Sequence, residues 1–278
     1  MNNLTLKTPI GENYIKIKYN LYIMLNFESV GNPIAKIIDK KSTKKKQIVF
    51  LSDPELDGEV RNGYTTIDLE PHQSFQQVAS NKERDILYIT GASGSGKSYH
   101  SAEYIKQYIK RHPKNEVMLF SSVGDDAVLD KIKKVKRFKI HDGDFVGEQF
   151  SIDDFKDCLL IFDDVDCISS KPILKKVYEI LDKALTTGRH TGTSVIYTTH
   201  TACNGKATKL ILTESHSVTF FMNAMGGKSS KYLLDSYLGL DKKQIEKLKN
   251  IKSRWTTIMK TYPQLVLTQR KLTFSKDL

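Results

Sequence analysis

A glycine-rich stretch that ends in lysine and serine has the spacing of a phosphate-binding loop. It reads Gly-Ala-Ser-Gly-Ser-Gly-Lys-Ser from residue 91 to residue 98 and fits G-x-x-x-x-G-K-S/T at every position. Glycines let the backbone curl so that successive N–H groups point at an anion. The motif's lysine places its charge on the β- and γ-phosphates, and its serine hydroxyl ligates Mg²⁺. We therefore expect a nucleoside triphosphate site in which Lys97 is catalytic and Ser98 is a metal ligand. The residues expected to contact the nucleotide are Gly91, Ala92, Ser93, Gly94, Ser95, Gly96, Lys97, Ser98 and Tyr99.

Two adjacent carboxylates supply the acidic element that such a loop needs. The apolar run Leu159–Phe162 leads directly into Asp163 and Asp164. A buried strand of this kind brings its last residues to the C-terminal edge of the sheet, where α/β proteins bind ligands. We expect Asp163 to hold Mg²⁺ through water and Asp164 to polarise the attacking water. Asp166 is interpreted as a surface residue or a helix cap.

An arginine and a histidine flank the next predicted strand, Ser194–Thr199. Arg189 has two interpretations. It is either a surface cation at a helix C-terminus, or an arginine finger that reaches the γ-phosphate bound to a neighbouring subunit. If the strand lies beside the acidic pair, Thr199 or His200 would sense the γ-phosphate, and a structural histidine is the alternative for His200.

Strand-like and helical segments alternate from residue 85 onward, which predicts an α/β domain with a mostly parallel sheet covered on both faces. The predicted strands are Ile86–Thr90, Glu116–Ser121, Cys158–Phe162, Ser194–Thr199 and Ser217–Met222. The predicted helices are Ser98–Arg111, Lys171–Leu185, Ser229–Leu238 and Lys242–Lys249. Trp255–Phe274 alternates well enough for one or two further strands.

The first part of the chain differs from this regular pattern. Tyr14–Leu25 and Gln47–Leu51 are strand-like, and the basic run 39–46 lies between them. The run is interpreted as a solvated linker, a nucleic-acid contact or a nuclear-import signal. We expect residues 1–80 to form a small β-rich extension with a basic linker, and residues 81–278 to form the domain that holds the phosphate loop.

Composition and charge describe a globular chain with an excess of positive charge. Its 278 residues carry 43 Lys+Arg against 32 Asp+Glu, a formal net charge of +11. The excess has two interpretations: the lysine-rich composition reflects an A/T-rich genome, or it serves a polyanionic partner such as nucleic acid. The three cysteines fit no metal or disulfide pattern, which favours a reducing compartment. With no signal peptide or membrane span expected, the chain is predicted to be soluble and intracellular.

Two features narrow the class of P-loop protein. The guanine-reading motif Asn-Lys-x-Asp fails in Asn81–Arg84, so ATP is expected rather than GTP. The predicted strand Glu116–Ser121 lies in sequence between the phosphate-loop helix and the acidic strand. P-loop ATPases with an added central strand are built in this way, unlike most nucleotide kinases.

Four motifs together resemble those of a known family. Gly-Ala-Ser-Gly-Ser-Gly-Lys-Ser at 91–98, Ile-Phe-Asp-Asp-Val at 161–165, Gly-Arg-His at 188–190 and Thr-Thr-His at 198–200 are similar to those of the poxvirus-type genome-packaging ATPases. That family belongs to the FtsK–HerA superfamily and occurs in large eukaryotic DNA viruses, their satellite viruses (virophages) and related mobile elements. The resemblance covers about residues 83–270.

The resemblance implies a RecA-like P-loop NTPase fold with an extra strand between the phosphate-loop strand and the Asp-Asp strand. It further implies an ATP- and Mg²⁺-dependent motor that forms a homo-oligomeric ring, moves double-stranded DNA and loads a capsid, with a capsid or portal protein as partner. Lys97, Ser98, Asp163 and Asp164 carry over directly, and Arg189 carries over as a finger acting between subunits. Two positions depart from the family: relatives often have Glu in place of Asp164 and Gln in place of His200.

Two other functions stay open on the residues alone. One is a P-loop ATPase that acts elsewhere on nucleic acid or protein, such as a helicase, a conjugation motor or a remodelling ATPase. The other is a nucleotide or small-molecule kinase, which would need a mobile arginine-rich lid that the sequence does not suggest. The lysine-rich stretches Lys131–Lys139 and Lys242–Lys252 are candidates for non-specific contact with DNA phosphates, and solvated helix faces are the alternative.

Overall fold

The computed structural model describes residues 23–42, 47–81 and 84–278. Residues 14–22 of the first predicted strand and residues 43–46 of the basic run lie outside this part of the chain. The strands of the described part are β1 (Met24–Asn26), β2 (Asn32–Asp39), β3 (Ile48–Ser52), β4 (Thr66–Asp68), β5 (Gln73–Gln77), β6 (Ile86–Thr90), β7 (Glu116–Ser121), β8 (Val135–Arg137), β9 (Cys158–Asp163), β10 (Ser194–Thr199), β11 (Ser217–Phe220), β12 (Thr256–Met259), β13 (Leu265–Thr268) and β14 (Lys271–Phe274). Its α-helices are α1 (Lys97–Arg111), α2 (Lys171–Thr186), α3 (Lys206–Glu214), α4 (Gly227–Tyr232) and α5 (Lys242–Asn250), and a π-helical turn (Leu233–Tyr237) continues α4.

The larger sheet has ten strands in the order β4-β14-β13-β12-β11-β6-β10-β9-β7-β8. Neighbouring strands from β11 to β8 are parallel, and β12, β13, β14 and β4 extend the sheet antiparallel. Strand β10 lies between β6 and β9. The predicted α/β P-loop fold with a mostly parallel central sheet is confirmed. The strand between the phosphate-loop strand and the acidic strand is β10, whereas Glu116–Ser121 (β7), which precedes the acidic strand in sequence, pairs with the other side of β9.

Helices cover both faces of this sheet because the strand side chains alternate between two apolar layers. In β6, Ile86 and Tyr88 pack in the layer covered by α2, α3 and α5. Leu87 and Ile89 pack in the opposite layer, against α1. The central strands are buried along their whole length, which explains their near-continuous apolar sequences.

The smaller sheet is antiparallel and has the order β1-β3-β2-β5. Its apolar face packs on the antiparallel part of the larger sheet, where Leu25, Ile34 and Phe75 share a buried cluster with Leu265 and Leu272. Strand β4, although it precedes β5 in sequence, pairs with β14 at the edge of the larger sheet. The division of the chain at residue 80 stays a prediction.

Two local predictions are corrected by the structure. Trp255–Phe274 forms three strands instead of one or two, because the segment folds back twice, so that β12 pairs with β13 and β13 pairs with β14. Lys131–Lys139 is not a helix face: it contains β8, whose Val135 pairs with Val117 of β7. Among the described residues, no helix has the length and apolar character needed to cross a membrane.

Candidate functional site

The loop of residues 91–98 joins β6 to α1, which is the strand–loop–helix setting that its motif requires. Gly96 has a φ of 110°, which a residue with a Cβ adopts only under strain. At Gly91, a Cβ would lie 2.7 Å from the Oγ of Ser95 and 2.9 Å from a ring carbon of Phe221. The glycines at these positions are therefore required by the path of the loop.

Both sides of the phosphate loop are tied to neighbouring strands. On one side, the Gly91 N–H donates to the carbonyl of Thr199 at the end of β10, at 3.2 Å. On the other side, the Ala92 N–H donates to the carbonyl of Ala224 in the turn after β11, at 3.1 Å. These two bonds place the loop above the C-terminal ends of the parallel strands, where α/β sheets bind ligands.

Lys97 occupies the centre of a buried polar cluster. Its side chain is only 6% exposed, and its Nζ donates to the Gly91 carbonyl at 3.0 Å and lies 3.1 Å from Nδ1 of His200. The Nε2 atom of His200 lies 2.9 Å from Oδ2 of Asp164, which in turn is 3.7 Å from Nζ of Lys97. An ammonium group only donates, so Nδ1 must accept and the His200 proton sits on Nε2, facing Asp164. Three of the predicted catalytic residues thus meet at one point.

Asp163 is the buried last residue of β9 and is held by both neighbouring strands. Its Oδ1 accepts a hydrogen bond from the Thr198 hydroxyl at 2.9 Å, and its Oδ2 accepts one from the Ser121 hydroxyl at 3.3 Å. Burial raises the pKa of this carboxyl, the bond from Thr198 opposes that rise, and the charge of Asp164 adds to it. The carboxylate is therefore oriented by hydrogen bonds before any cation arrives.

Thr198 is a site residue that the sequence interpretation missed. Besides its bond to Asp163, its hydroxyl accepts from the backbone N–H of Asp164 at 3.1 Å. Side chains alternate along a strand, so the prediction for His200 already implied that Thr198 faces the same way. Thr199 points elsewhere and donates to Asp166 at 2.9 Å. Asp166 therefore anchors the end of β10 instead of standing as a surface residue or cap.

The backbone at Asp164 adopts the left-handed conformation, with φ 46° and ψ 36°. This conformation is sterically costly for most residues with a Cβ, but aspartate adopts it more readily than bulkier residues do. The turn directs the carboxylate toward Lys97 and His200 instead of along the strand. Such outliers are concentrated at functional sites.

The residues at the loop fit Mg²⁺ together with a triphosphate. Mg²⁺ is usually held by one or two carboxylates, phosphate oxygens and water, and less often by a cage of protein groups. Asp163 and the half-buried Ser98 offer hard oxygen ligands of this kind. The described residues contain no group of three or more His, Cys, Asp and Glu that could hold a metal ion by itself. The Oγ of Ser95 is buried in the loop without a hydrogen-bond partner among these residues.

Arg189 is not part of this cluster. It is exposed, follows α2 and precedes the start of β10, so it lies at the edge of the sheet opposite the phosphate loop. At that edge Arg84 donates to the carbonyls of Leu185 and Thr193, both at 2.9 Å. Burial lowers the pKa of Arg84, and the charge of the nearby Arg189 adds to the lowering. Within the described residues Arg189 forms no salt bridge, and its position at the opposite end of the strands separates it from the phosphate loop of its own chain.

His100 lies below the loop on the first turns of α1. Its ring is 4.8 Å from that of Trp255 and 6.4 Å from that of Phe221, measured between centroids. Burial lowers the pKa of His100 from 6.5 to about 4, and the charge of Glu103 opposes the lowering. The imidazole is consequently neutral in the folded protein at neutral pH.

This burial predicts a stability loss on acidification. The unfolded chain takes up a proton at His100 near pH 6.5, whereas the folded chain takes it up only near pH 4, so protons favour unfolding between these values. From pH 7 to pH 5 the free energy of unfolding should fall by about 2 kcal/mol more in the wild type than in His100→Phe. Urea unfolding at the two pH values measures the difference. Equal losses in both proteins would contradict the buried neutral state.

Comparisons with known proteins identify a relative of nearly the same length. The chain is 37% identical over 245 residues to protein V3 of the Sputnik virophage, described as uncharacterized, and the match covers 87% of this chain and 95% of V3. The chain belongs to the family of this virophage protein. The resemblance to proteins of DNA viruses and their satellites is thereby confirmed at the level of a virophage family. No protein-family model matches the chain.

Solved structures of low sequence identity were also compared with the chain. The DNA-packaging ATPase B204 of Sulfolobus turreted icosahedral virus has a TM-score of 0.48 and 18% identity, and the match covers 68% of this chain and 98% of B204. The cytoplasmic domain of the type VII secretion ATPase EccC of Thermomonospora curvata has a TM-score of 0.47 and 12% identity, and the match covers 76% of this chain and 29% of that one.

Proposed function

We propose that this protein is an ATPase that moves double-stranded DNA into a viral capsid. The observation that carries the ATPase part is the meeting of Lys97 with Asp164 and His200 beside the buried Asp163. The phosphate loop faces two carboxylates from β9, which lies two strands away from β6, and His200 lies between Lys97 and Asp164. This arrangement supports hydrolysis of a triphosphate, because it combines a charge for the phosphates with a base for water.

Each residue has a distinct role in this proposal. The loop amides and Lys97 bind the triphosphate, while Ser98 and Asp163 hold Mg²⁺, with Thr198 and Ser121 orienting Asp163. Bound Mg²⁺ neutralises charge on the phosphate oxygens. Lys97 now donates to the Gly91 carbonyl and to His200, and these are bonds that it would exchange for phosphate oxygens.

Asp164 is the proposed acceptor of the proton from the attacking water. It is about one-fifth exposed, so water reaches it, and the Nε2–H of His200 holds its Oδ2 at 2.9 Å. The water oxygen forms the new bond to the γ-phosphorus, the bond from that phosphorus to the β–γ bridging oxygen breaks, and ADP and phosphate result. His200 keeps the carboxylate oriented and contacts Lys97, so it connects the water-activating group with the phosphate-binding group.

The DNA-packaging part rests on the motifs and on membership in a virophage family. The Gly-Arg-His and Thr-Thr-His motifs resemble those of packaging ATPases, and the net charge of +11 suits a polyanionic partner. Exposed lysines on α5, including Lys242, Lys243, Lys247 and Lys249, are candidates for contact with DNA phosphates. We further propose a homo-oligomeric ring, a capsid or portal partner, and action in the host-cell cytoplasm or in the virion.

Hydrolysis should depend on duplex DNA and on salt. We expect slow ATP turnover by the protein alone and a rate about tenfold higher with duplex DNA, because DNA would assemble subunits around itself. Lysine contacts to phosphates release counterions, so the stimulation should fall steeply between about 50 and 200 mM salt and should not depend on base sequence. A coupled assay of ADP release measures both effects. Stoichiometric phosphorylation of an added acceptor would instead identify a kinase.

A further inference from the structure

A cavity of about 490 Å³ lies beside the phosphate loop, on the side away from the acidic pair. Three separate parts of the chain enclose it together with the loop and α1: the smaller sheet, the turn after β11, and the hairpin strands near the C-terminus. The residues used below are Gln77, Ser95, Tyr99, His100, Phe221 and Trp255, all of which line this cavity.

The position of the cavity is that expected for the non-phosphate end of a nucleotide. In the sheet, the acidic strand β9 lies two strands to one side of β6, whereas β11 lies directly on the other side. Phe221 follows β11, and its ring lies only 2.9 and 3.4 Å from the positions that a Cβ would take on Gly91 and Gly96. A triphosphate whose terminal phosphate faces Asp163 and Asp164 must direct its nucleoside toward Phe221. This step rests on the function proposed above.

Three residues that line this cavity each have a buried polar atom without a hydrogen-bond partner. Among the described residues these are Oε1 of Gln77, Oγ of Ser95 and Nε2 of His100. Gln77 is 6% exposed, and its amide nitrogen donates to the Ser217 hydroxyl at 3.2 Å. An unpaired buried polar atom destabilises the fold, and a hydrogen bond from a ligand would remove that penalty. The amide of Gln77 suits the edge of a purine base, which presents donors and acceptors side by side.

Aromatic side chains offer a surface on which a flat base could stack. Tyr99, directly after the loop, is 68% exposed although it is aromatic. Trp255 is half-buried and packs edge-on against His100, at 4.8 Å between centroids. Any base can stack on such rings, so stacking contributes affinity for the nucleotide. Selectivity for one base over another requires a polar group that bonds to the edge of the base.

We propose that this cavity binds the purine base and ribose of the nucleotide, with Tyr99 and Trp255 stacking on the base and Gln77 bonding to its edge. The smaller sheet then forms one wall of the nucleotide site, because β5 carries Gln77. Residues before the phosphate-loop domain thereby contribute directly to ATP selection. The sequence motifs do not indicate this role, because their residues bind only the phosphates and Mg²⁺.

The test compares ATP with inorganic tripolyphosphate, which has no base, by calorimetric titration in the presence of Mg²⁺. Tyr99→Ala and Gln77→Leu should each weaken ATP about tenfold and leave the tripolyphosphate affinity unchanged within about twofold. Tyr232→Ala is the matched control, since this tyrosine is also helical and exposed (53%) but lies outside the cavity. It should bind both ligands like the wild type.

Trp255 is the single tryptophan of the chain, so its fluorescence reports directly on the cavity. ATP should quench it, and saturating tripolyphosphate should quench it far less. Normal ATP binding by both Tyr99→Ala and Gln77→Leu, or an equal loss of ATP and tripolyphosphate, would overturn the base site while leaving the ATPase proposal intact. If the wild type binds neither ligand, the proposed function fails and the base site fails with it.

Discussion

Replacing Lys97 by alanine should lower ATP turnover at least about a thousandfold, the largest loss expected from any single lysine in the chain. The Lys97 ammonium is buried and lies at the point where the loop, Asp164 and His200 meet. No other described cation lies in this cluster, so nothing in the site replaces its charge on the phosphates. Steady-state hydrolysis with saturating ATP and duplex DNA measures the effect.

Lys110→Ala is the control for this prediction. Lys110 is on the same helix as Lys97 but is exposed near its C-terminal end. Its replacement removes an equal charge from α1 and should leave turnover within about twofold of the wild type, as surface changes usually do. Comparable losses in both variants would mean that the total charge of α1 matters and not the position of Lys97.

Arg189→Ala and Asp163→Ala should each abolish DNA-stimulated hydrolysis, yet mixtures of the two variants should regain activity. We propose that Arg189 is an arginine finger, a group that contributes about 10³–10⁵ in rate, and it lies at the sheet edge opposite its own loop. In this proposal its target is the site of another subunit. In a random 1:1 mixture, about a quarter of the interfaces pair an intact Asp163 with an intact Arg189 from the neighbour, which predicts recovery of that order.

Mixing Lys97→Ala with Asp163→Ala supplies the control, because both changes damage the same site and no arrangement of subunits repairs it. This mixture should stay inactive at every ratio. If the Arg189→Ala and Asp163→Ala mixture also stays inactive at every ratio, Arg189 has no role between subunits. Full activity of Arg189→Ala by itself would reduce the residue to a surface cation at the end of α2.

The parallel part of the fold is predictable from local sequence because its strands are short, apolar and buried on both faces. Ile86–Thr90, Glu116–Ser121 and Ser194–Thr199 have the same bounds in the structure as in the prediction. The antiparallel part is less predictable. Strand β4 has only three residues and pairs with β14, about two hundred positions later. The local pattern of apolar residues therefore cannot predict this pairing.

Some residues of the candidate site could also be predicted from local sequence, and others could not. Lys97, Asp163 and Asp164 belong to compact motifs, and their proximity follows from the rule that parallel strands present their C-terminal ends at one edge. Thr198 was overlooked because a threonine in a buried strand also satisfies ordinary strand preference. Gln77 and Trp255 are 178 positions apart in sequence and line the same cavity only because one sheet packs on the other. No motif could have indicated that meeting.

Displacement of a third strand from a triplex on long duplex DNA is the most direct test of a DNA motor. The wild type with ATP and Mg²⁺ should release the third strand at a rate that increases with ATP, and Lys97→Ala should release none. Release should also stop with a non-hydrolysable ATP analogue. ATP hydrolysis by the wild type at full rate on this DNA, with the triplex left in place, would contradict translocation and leave only an ATPase.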